Sequence, residues 1–378
     1  MRKEAALRSP SKLWNVWLLA CAAALAAASA VGGPAFAQCI PAEVVERISL
    51  TAEDEQKLAE CVAANSAHLG DSKPELVRAD RTALLQPLEN KKASASFRVK
   101  YAKALLPVIT PLAGNSNDIV ACNALIIAGD LATDSAADLV KRHTDGPVSS
   151  VRYQAAYAAR RTFETMTVGS PAITPTKGSE LLTVIEGRLG SETDALVVDA
   201  LIRAALEAAK VDELRNQAIS TVSKGVQRLV AAGVGGEGIP QAMLESCVVA
   251  CTGVRAIIAL PNVSVSREAT LAAGGLGGDL LSGVSVAVSR QRLTLTGNDP
   301  AREVHAQAAL AGETLVLLVA KKLDASFAAG PKEAGKSLRE GTTEGDAKFL
   351  VGAADIIGPR GILLQKPFDF AANRFPTK

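Results

Sequence analysis

Val120-Ala121-Cys122-Asn123-Ala124-Leu125-Ile126-Ile127-Ala128 aligns without a gap on Val151-Arg152-Tyr153-Gln154-Ala155-Ala156-Tyr157-Ala158-Ala159. Both stretches place an aliphatic residue first, an amide three positions on, Ala four positions on and a small residue at the eighth. Residues 196–204 repeat the pattern around Asp199-Ala200-Leu201, and residues 304–312 repeat it around Gln307-Ala308-Ala309. Positions four apart share a face of an α-helix, so Val120, Ala124, Val151, Ala155, Leu196, Ala200, Val304 and Ala308 are the expected core positions of a recurring helix. A helical unit that recurs every few dozen residues cannot bury its apolar face alone and must stack on its neighbours. Alanine at the fourth step permits the close helix approach that stacking needs.

The rest of the chain agrees with an all-α fold. Of its 378 residues, 48% are hydrophobic but only 3% aromatic, and 68 are alanine, the best helix former. Helical periodicity and capping residues predict helices over 53–65, 74–90, 94–113, 116–132, 135–143, 148–166, 178–190, 192–211, 213–233 and 240–259. The segment Val148-Ser149-Ser150-Val151-Arg152-Tyr153-Gln154-Ala155-Ala156 resembles the second helix of a HEAT-type repeat, and Asn117-Asp118-Ile119-Val120 before the earlier copy is similar. Arg152 matches that family's typical arginine, whereas Ala121, Val197 and His305 stand there in the other copies, so the repeats are degenerate. The resemblance implies an α-solenoid of stacked antiparallel helix pairs whose inner helices present a protein-binding surface, with no catalytic residue to carry over.

The N-terminus has a different character. Arg2, Lys3, Arg8 and Lys12 precede an apolar run over 16–31, which ends at Gly32-Gly33-Pro34 and the small-x-small site Ala35-Phe36-Ala37. This is the layout of a secretory signal peptide, with cleavage expected between Ala37 and Gln38 and export to the periplasm or the extracellular space. The run is too short and too rich in Ala for a retained anchor, so no membrane span is expected after cleavage. The whole chain carries +2, but residues 1–37 hold four basic residues and one acid, which leaves −1 on the mature part. Both Trp residues, Trp14 and Trp17, leave with the signal. A near-neutral chain without Trp has neither the field nor the aromatic platforms for nucleic-acid binding.

Cys39 and Cys61 are spaced to close a loop of about twenty residues in an oxidising compartment, worth ~3 kcal/mol if bridged, although the spacing does not require it. Cys247 and Cys251, four apart on one predicted helix, read as small core thiols; no neighbouring His or Cys completes a zinc site. The chain is expected to divide into the signal (1–37), helical repeats (38–260), a Gly-rich loop with irregular helix (261–300), C-terminal helices (301–358) and a Pro/Phe tail (359–378). Gly274-Gly275-Leu276-Gly277-Gly278 is the plainest expected break, with helices resuming over 280–295 and 301–323. Phe368, Phe370 and Phe375 in the tail are expected to dock back on the last helices.

Two motif matches fail on context. Gly330-Pro331-Lys332-Glu333-Ala334-Gly335-Lys336-Ser337 has P-loop spacing but no strand before it, and Gly233-Val234-Gly235-Gly236-Glu237-Gly238 follows a predicted helix instead of a strand. No nucleophile elbow, zinc-protease motif or acid–base constellation stands out, so no catalytic residue, cofactor or metal is expected. The expected function is a non-enzymatic exported scaffold or adaptor for a protein partner. A structural part of an envelope assembly, or an enzyme whose site joins separated residues, are the alternatives.

Overall fold

Among the described residues, nine helices of this chain begin with a residue whose side chain satisfies an orphan helix amide. Thr51, Ser94, Asn117, Thr133, Thr174, Asp194, Ser266, Asp299 and Thr342 each accept a backbone N–H two or three residues on, each cap worth ~1 kcal/mol. The computed structural model describes residues 39–168, 170–296, 299–371 and 373–378; the expected signal segment and its cleavage site at Ala37 and Gln38 lie outside the described residues. Among the described residues the fold is all-α, with fifteen α-helices and no strand. Cys39 and Cys61 are both disulfide-bonded, whereas Cys122, Cys247 and Cys251 are free thiols.

After the short α1 (Ala42–Glu46), the helices alternate between two rows. One row contains α3 (Pro74–Leu85), α5 (Asp118–Leu131), α7 (Ser149–Val168), α9 (Ala195–Ala208), α11 (Gln241–Ala259) and α13 (Pro300–Leu323), each packed on the next in the row. The other contains α2 (Ala52–Ala64), α4 (Ala95–Ala113), α6 (Asp134–Thr144), α8 (Pro175–Leu189), α10 (Arg215–Gly235) and α12 (Arg267–Ser289), again packed in succession. From α4 to α13 each helix also touches its chain neighbour. The chain ends in α14 (Ala334–Arg339), α15 (Thr343–Ile357) against α12, and a tail. The helix expected over 74–90 finishes as a 3-10 turn, Gln86–Glu89, because Pro87 cannot donate to an α-helical ladder. Pro107 and Pro111 sit inside α4 on its exposed side, where water can reach the carbonyls they leave without a donor.

The Gly-rich segment departs from expectation. No loop occurs at residues 274–278: α12 runs unbroken for 23 residues, and everything from Ala273 to Val288 is buried. Glycine weakens a solvated helix because its backbone is too free, but here its missing side chain is what the packing uses. A Cβ on Gly277 would lie 2.7 Å from the Gly312 carbonyl oxygen, and one on Gly312 would lie 2.7 Å from the Gly277 carbonyl oxygen. The backbones of α12 and α13 are therefore in direct contact. On the other side of α12, the glycines receive the tail. Phe368 fills the space at Gly274, Phe375 and Leu363 that at Gly278, and the Arg374 guanidinium that at Gly275. α11, α12 and α13 are each long and apolar enough to cross a membrane; α12 is apolar all round because helices and tail enclose it.

Arg374 also pairs with Asp279 at 3.0 Å and lies over the rings of Phe370 and Phe375, while Ser289 donates to the Thr377 carbonyl at 2.8 Å. Burial raises the Asp279 carboxyl to about 6 although Arg374 pulls it down. An unfolded Asp titrates near 3.9, so between pH ~4 and ~6 the folded chain binds more protons and this group's contribution to stability falls as pH rises. Asp279→Asn, which keeps an acceptor for Arg374, should remove that downward slope in urea melts taken from pH 4 to 6.5; an unchanged slope would refute it. Gly277→Ala should destabilise by ~1–3 kcal/mol through overpacking, whereas Gly187→Ala, with nothing within 4 Å, should stabilise by up to ~1 kcal/mol. Equal signs for the two substitutions would contradict the backbone contact.

Candidate protein-interaction surface

The register of the first row is set by its helix starts. The carbonyls of Asn117, Val148, Asp194 and Pro240 accept the first helical hydrogen bonds of α5, α7, α9 and α11. Counted from those residues, the third, seventh and eleventh positions are Val120, Ala124 and Ala128; Val151, Ala155 and Ala159; Val197, Leu201 and Ala205; and Met243, Cys247 and Cys251. All twelve are buried. Ala200, Val304 and Ala308, expected as core, are buried as well. Leu196 is not: it is 70% exposed. The run Leu196-Val197-Val198 offers three aliphatic starts, and the gapless alignment took the first. Asp194 caps α9 as Asn117 caps α5, which makes Val197 the partner of Val120 and puts Leu196 beside the exposed Ile119.

Cys247 and Cys251 hold the seventh and eleventh positions of α11 and are fully buried. Burial pushes the Cys247 thiol up to about 12, and burial, Cys247 and Asp279 together raise Cys251 further. Thiols held this firmly in the protonated form are poor nucleophiles and poor metal ligands.

The same register defines an outward stripe. Its second, fifth and ninth positions are Ile119, Cys122 and Ile126 on α5; Ser150, Tyr153 and Tyr157 on α7; and Leu196, Asp199 and Arg203 on α9. Tyr153 and Tyr157 are 42% and 41% exposed, one helical turn apart. Between them and α3 runs an open groove of about 470 Å³, bordered by Arg81, Leu85, Ile126 and Gln154. Its far end is closed by Arg161, which binds Asp130 at 2.6 Å and Glu164 at 2.7 Å. Arg203 pairs with Asp199 at 2.6 Å and lies within electrostatic reach of Tyr153.

Arg152 fixes the orientation of α7. Its guanidinium donates to both oxygens of Glu192, at 2.7 and 3.0 Å, and to the carbonyls of Gly146 and Pro147. Arg188 donates to Glu192 at 2.8 Å, and the amides of Thr193 and Asp194 complete the carboxylate's partners at 2.9 and 3.0 Å. One buried carboxylate thus joins the start of α7, the end of α8 and the cap of α9. Burial works to raise the Glu192 carboxyl, but the hydrogen bonds from Arg152, Arg188 and the two amides outweigh it and bring it down to about 2. The sequence singled out Arg152 but not its acid, which lies 40 residues away in the chain.

The two phosphate-loop look-alikes have other structural roles. The amides of Lys332 and Ala334 already receive the carboxylate of Glu313, buried on α13, and the loop leads only into the six-residue α14. The glycines of residues 233–238 close α10 where a dinucleotide fingerprint would open a helix, so they present carbonyls to any ligand, and Arg290 and Arg292 bind the carbonyls of Val234 and Gly236. A cleft of about 210 Å³ beside that turn is bordered by Arg292, Gln241 and His305. Among the described residues no group of three His, Cys, Asp or Glu side chains is placed to hold a metal ion. In comparisons with known proteins, the chain matches no protein-family model and no curated protein sequence.

Because the folded carboxyl of Glu192 lies below the unfolded value of about 4.3, its stabilisation is complete above that pH and disappears as pH falls towards 2. Glu192→Gln should cost about 3–5 kcal/mol at pH 7, since it leaves the buried Arg152 guanidinium without its acid, while half-buried Arg188 keeps Asp145. The loss should shrink at pH 2.5, where the wild-type carboxylate is itself being protonated. Urea denaturation at the two pH values measures both; an equal penalty at each would rule out the charged clamp.

Proposed function

We propose that this chain is an exported, non-enzymatic scaffold: an α-solenoid of HEAT-like helix pairs that holds a protein partner along the outward stripe of α5, α7 and α9. The observation that carries the reading is the exposed pair Tyr153 and Tyr157, in register with exposed Ile119 and Leu196 on the flanking helices. Tyrosine supplies a large apolar face and a polar tip at little entropic cost, and is enriched in the energetic centres of protein interfaces. Each helix touching its neighbours one and two places along is the contact pattern of a quasi-one-dimensional stack, which supports the solenoid. In the HEAT-like reading α7 is a second helix, so its row is the one that faces a partner. The basic, apolar and small-residue segments of residues 1–37 support export, and cleavage would leave Gln38 as the mature N-terminus.

A photo-crosslinking residue placed at Tyr157 in the producing cell should give one discrete protein adduct, and the same residue at Thr183 on the opposite row should not. The double variant Tyr153→Ala/Tyr157→Ala should lose that partner on co-purification by tenfold or more while melting within ~1 kcal/mol of wild type. Equal adducts from both positions, or unaltered co-purification, would remove the surface from consideration.

A further inference from the structure

The groove between α3, α5 and α7 carries an electrostatic asymmetry that narrows the chemistry of its occupant; this inference rests on the interaction-surface reading above. Arg81 lines the groove, and its guanidinium donates only to the neutral carboxamide of Asn123. Burial, and then the charge of Arg78, push the Arg81 pKa down, and no acid appears among the charges it feels. Arg98 on α4 is buried, donating to the carbonyls of Asp130 and Leu131 and feeling the charge of Asp130. The acids nearest the floor are committed: Asp130 and Glu164 to Arg161, and Asp80 to the backbone and ring of His68. Arg81 is therefore a cation of the groove lining with no carboxylate of its own among the described residues.

A second, independent observation lies on the opposite wall. The amide nitrogen of Gln154 is buried and has no hydrogen-bond partner, although the side chain borders the groove. A carbonyl delivered by a ligand would give that donor a partner once the side chain turns outward into the groove. Tyr153 and Tyr157 on the same helix, and Ile126 and Leu85 on α5 and α3, line the groove with it. The lining thus combines a cation, a side-chain amide donor and the apolar and aromatic side chains of Leu85, Ile126, Tyr153 and Tyr157.

We infer that the groove binds an extended acidic peptide segment of a partner protein, with an Asp or Glu carboxylate on Arg81, a main-chain carbonyl on Gln154 and an apolar side chain between Tyr157 and Ile126. The carboxylate on Arg81 is a charge-assisted, bidentate-capable contact, and the charge of Arg78 adds to it. A single-stranded nucleic acid would also stack on tyrosines, but it needs a continuous cationic track. Asp130 and Glu164 interrupt any such track at the far end of this groove.

The test uses the purified mature chain and fluorescein-labelled decapeptides with Asp or Glu at alternate positions and Phe, Leu, Pro or Tyr between them, read by fluorescence anisotropy at 50 and 300 mM salt. Matched decapeptides with Lys in place of every acid, and an oligo-dT ten-mer, run beside them. Acidic peptides should bind at least tenfold more tightly than the lysine set, with affinity falling as salt rises. Arg81→Glu and the milder Arg81→Gln should each weaken acidic-peptide binding at least tenfold, Gln154→Leu about fivefold, and Arg255→Ala on α11 not at all. Circular dichroism confirms that each variant is folded; should Arg81→Glu fail that check, Arg81→Gln decides. Equal or tighter binding of the lysine peptides or of oligo-dT, binding that survives Arg81→Gln, or no binding of any acidic peptide would each overturn the inference. The photo-crosslink at Tyr157 could still succeed in that case, so loss of the acidic-peptide assignment is distinguishable from loss of the surface itself.

Discussion

Where α12 crosses α13, the carbonyl oxygens of Gly277 and Gly312 occupy the space in which each other's Cβ would stand. The same constraint operates between α5 and α7, where a side chain on Gly129 would lie 2.7 Å from the Cα of Ala158. Close-packed interiors tolerate no voids, so helices that approach this far must have almost nothing between them. At these crossings, Ala and Gly positions are therefore the spacers that set how closely the helices approach, both between the rows and within one. Where aromatic groups meet these close contacts they sit beside them: Phe368 and Phe375 fill the space left by Gly274 and Gly278 of α12, while Tyr153 and Tyr157 lie on the outward stripe.

That spacing explains the buried polar groups. When backbones pack this closely, the loops between helices are drawn together, and their carbonyls and amides need partners that small side chains cannot supply. Arginine reaches them. Arg152 binds the carbonyls before α7, Arg98 those ending α5, and fully buried Arg302 those of Thr294 and Leu338 together with Asp346. Each junction is local, linking a helix only to the turns beside it. The Arg152–Glu192 clamp also holds α7 in the rotation that keeps Tyr153 and Tyr157 outside, which connects the buried chemistry to the proposed binding face.

The sequence carried the helices and their faces clearly, because caps and periodicity are local signals. Its failures have specific causes. The glycines of residues 274–278 were read as a break because in isolation they destabilise a helix; the compensating contacts come from Gly312 and from Leu363, Phe368 and Phe375 roughly 35 to 100 residues away. Leu196 was placed in the core because the eye follows aliphatic residues, whereas the matching caps Asn117 and Asp194 carry the true register. The groove of Arg81 and Gln154 had no signature at all, since it forms only when three helices distant in sequence are brought side by side.

Helix crossings built on alanine and glycine have an evolutionary corollary. Such side chains forfeit almost no rotamer freedom on folding, and they have few atoms to lose, so truncating substitutions at these positions are mild. Enlarging ones collide with main chain, which cannot rotate out of the way. Drift at these crossings can therefore run only towards equal or smaller residues, whereas the outward helix faces are free to vary. There a change of chemistry leaves the spacing of the stack untouched, so a lineage could acquire new binding partners without rebuilding the fold that displays them.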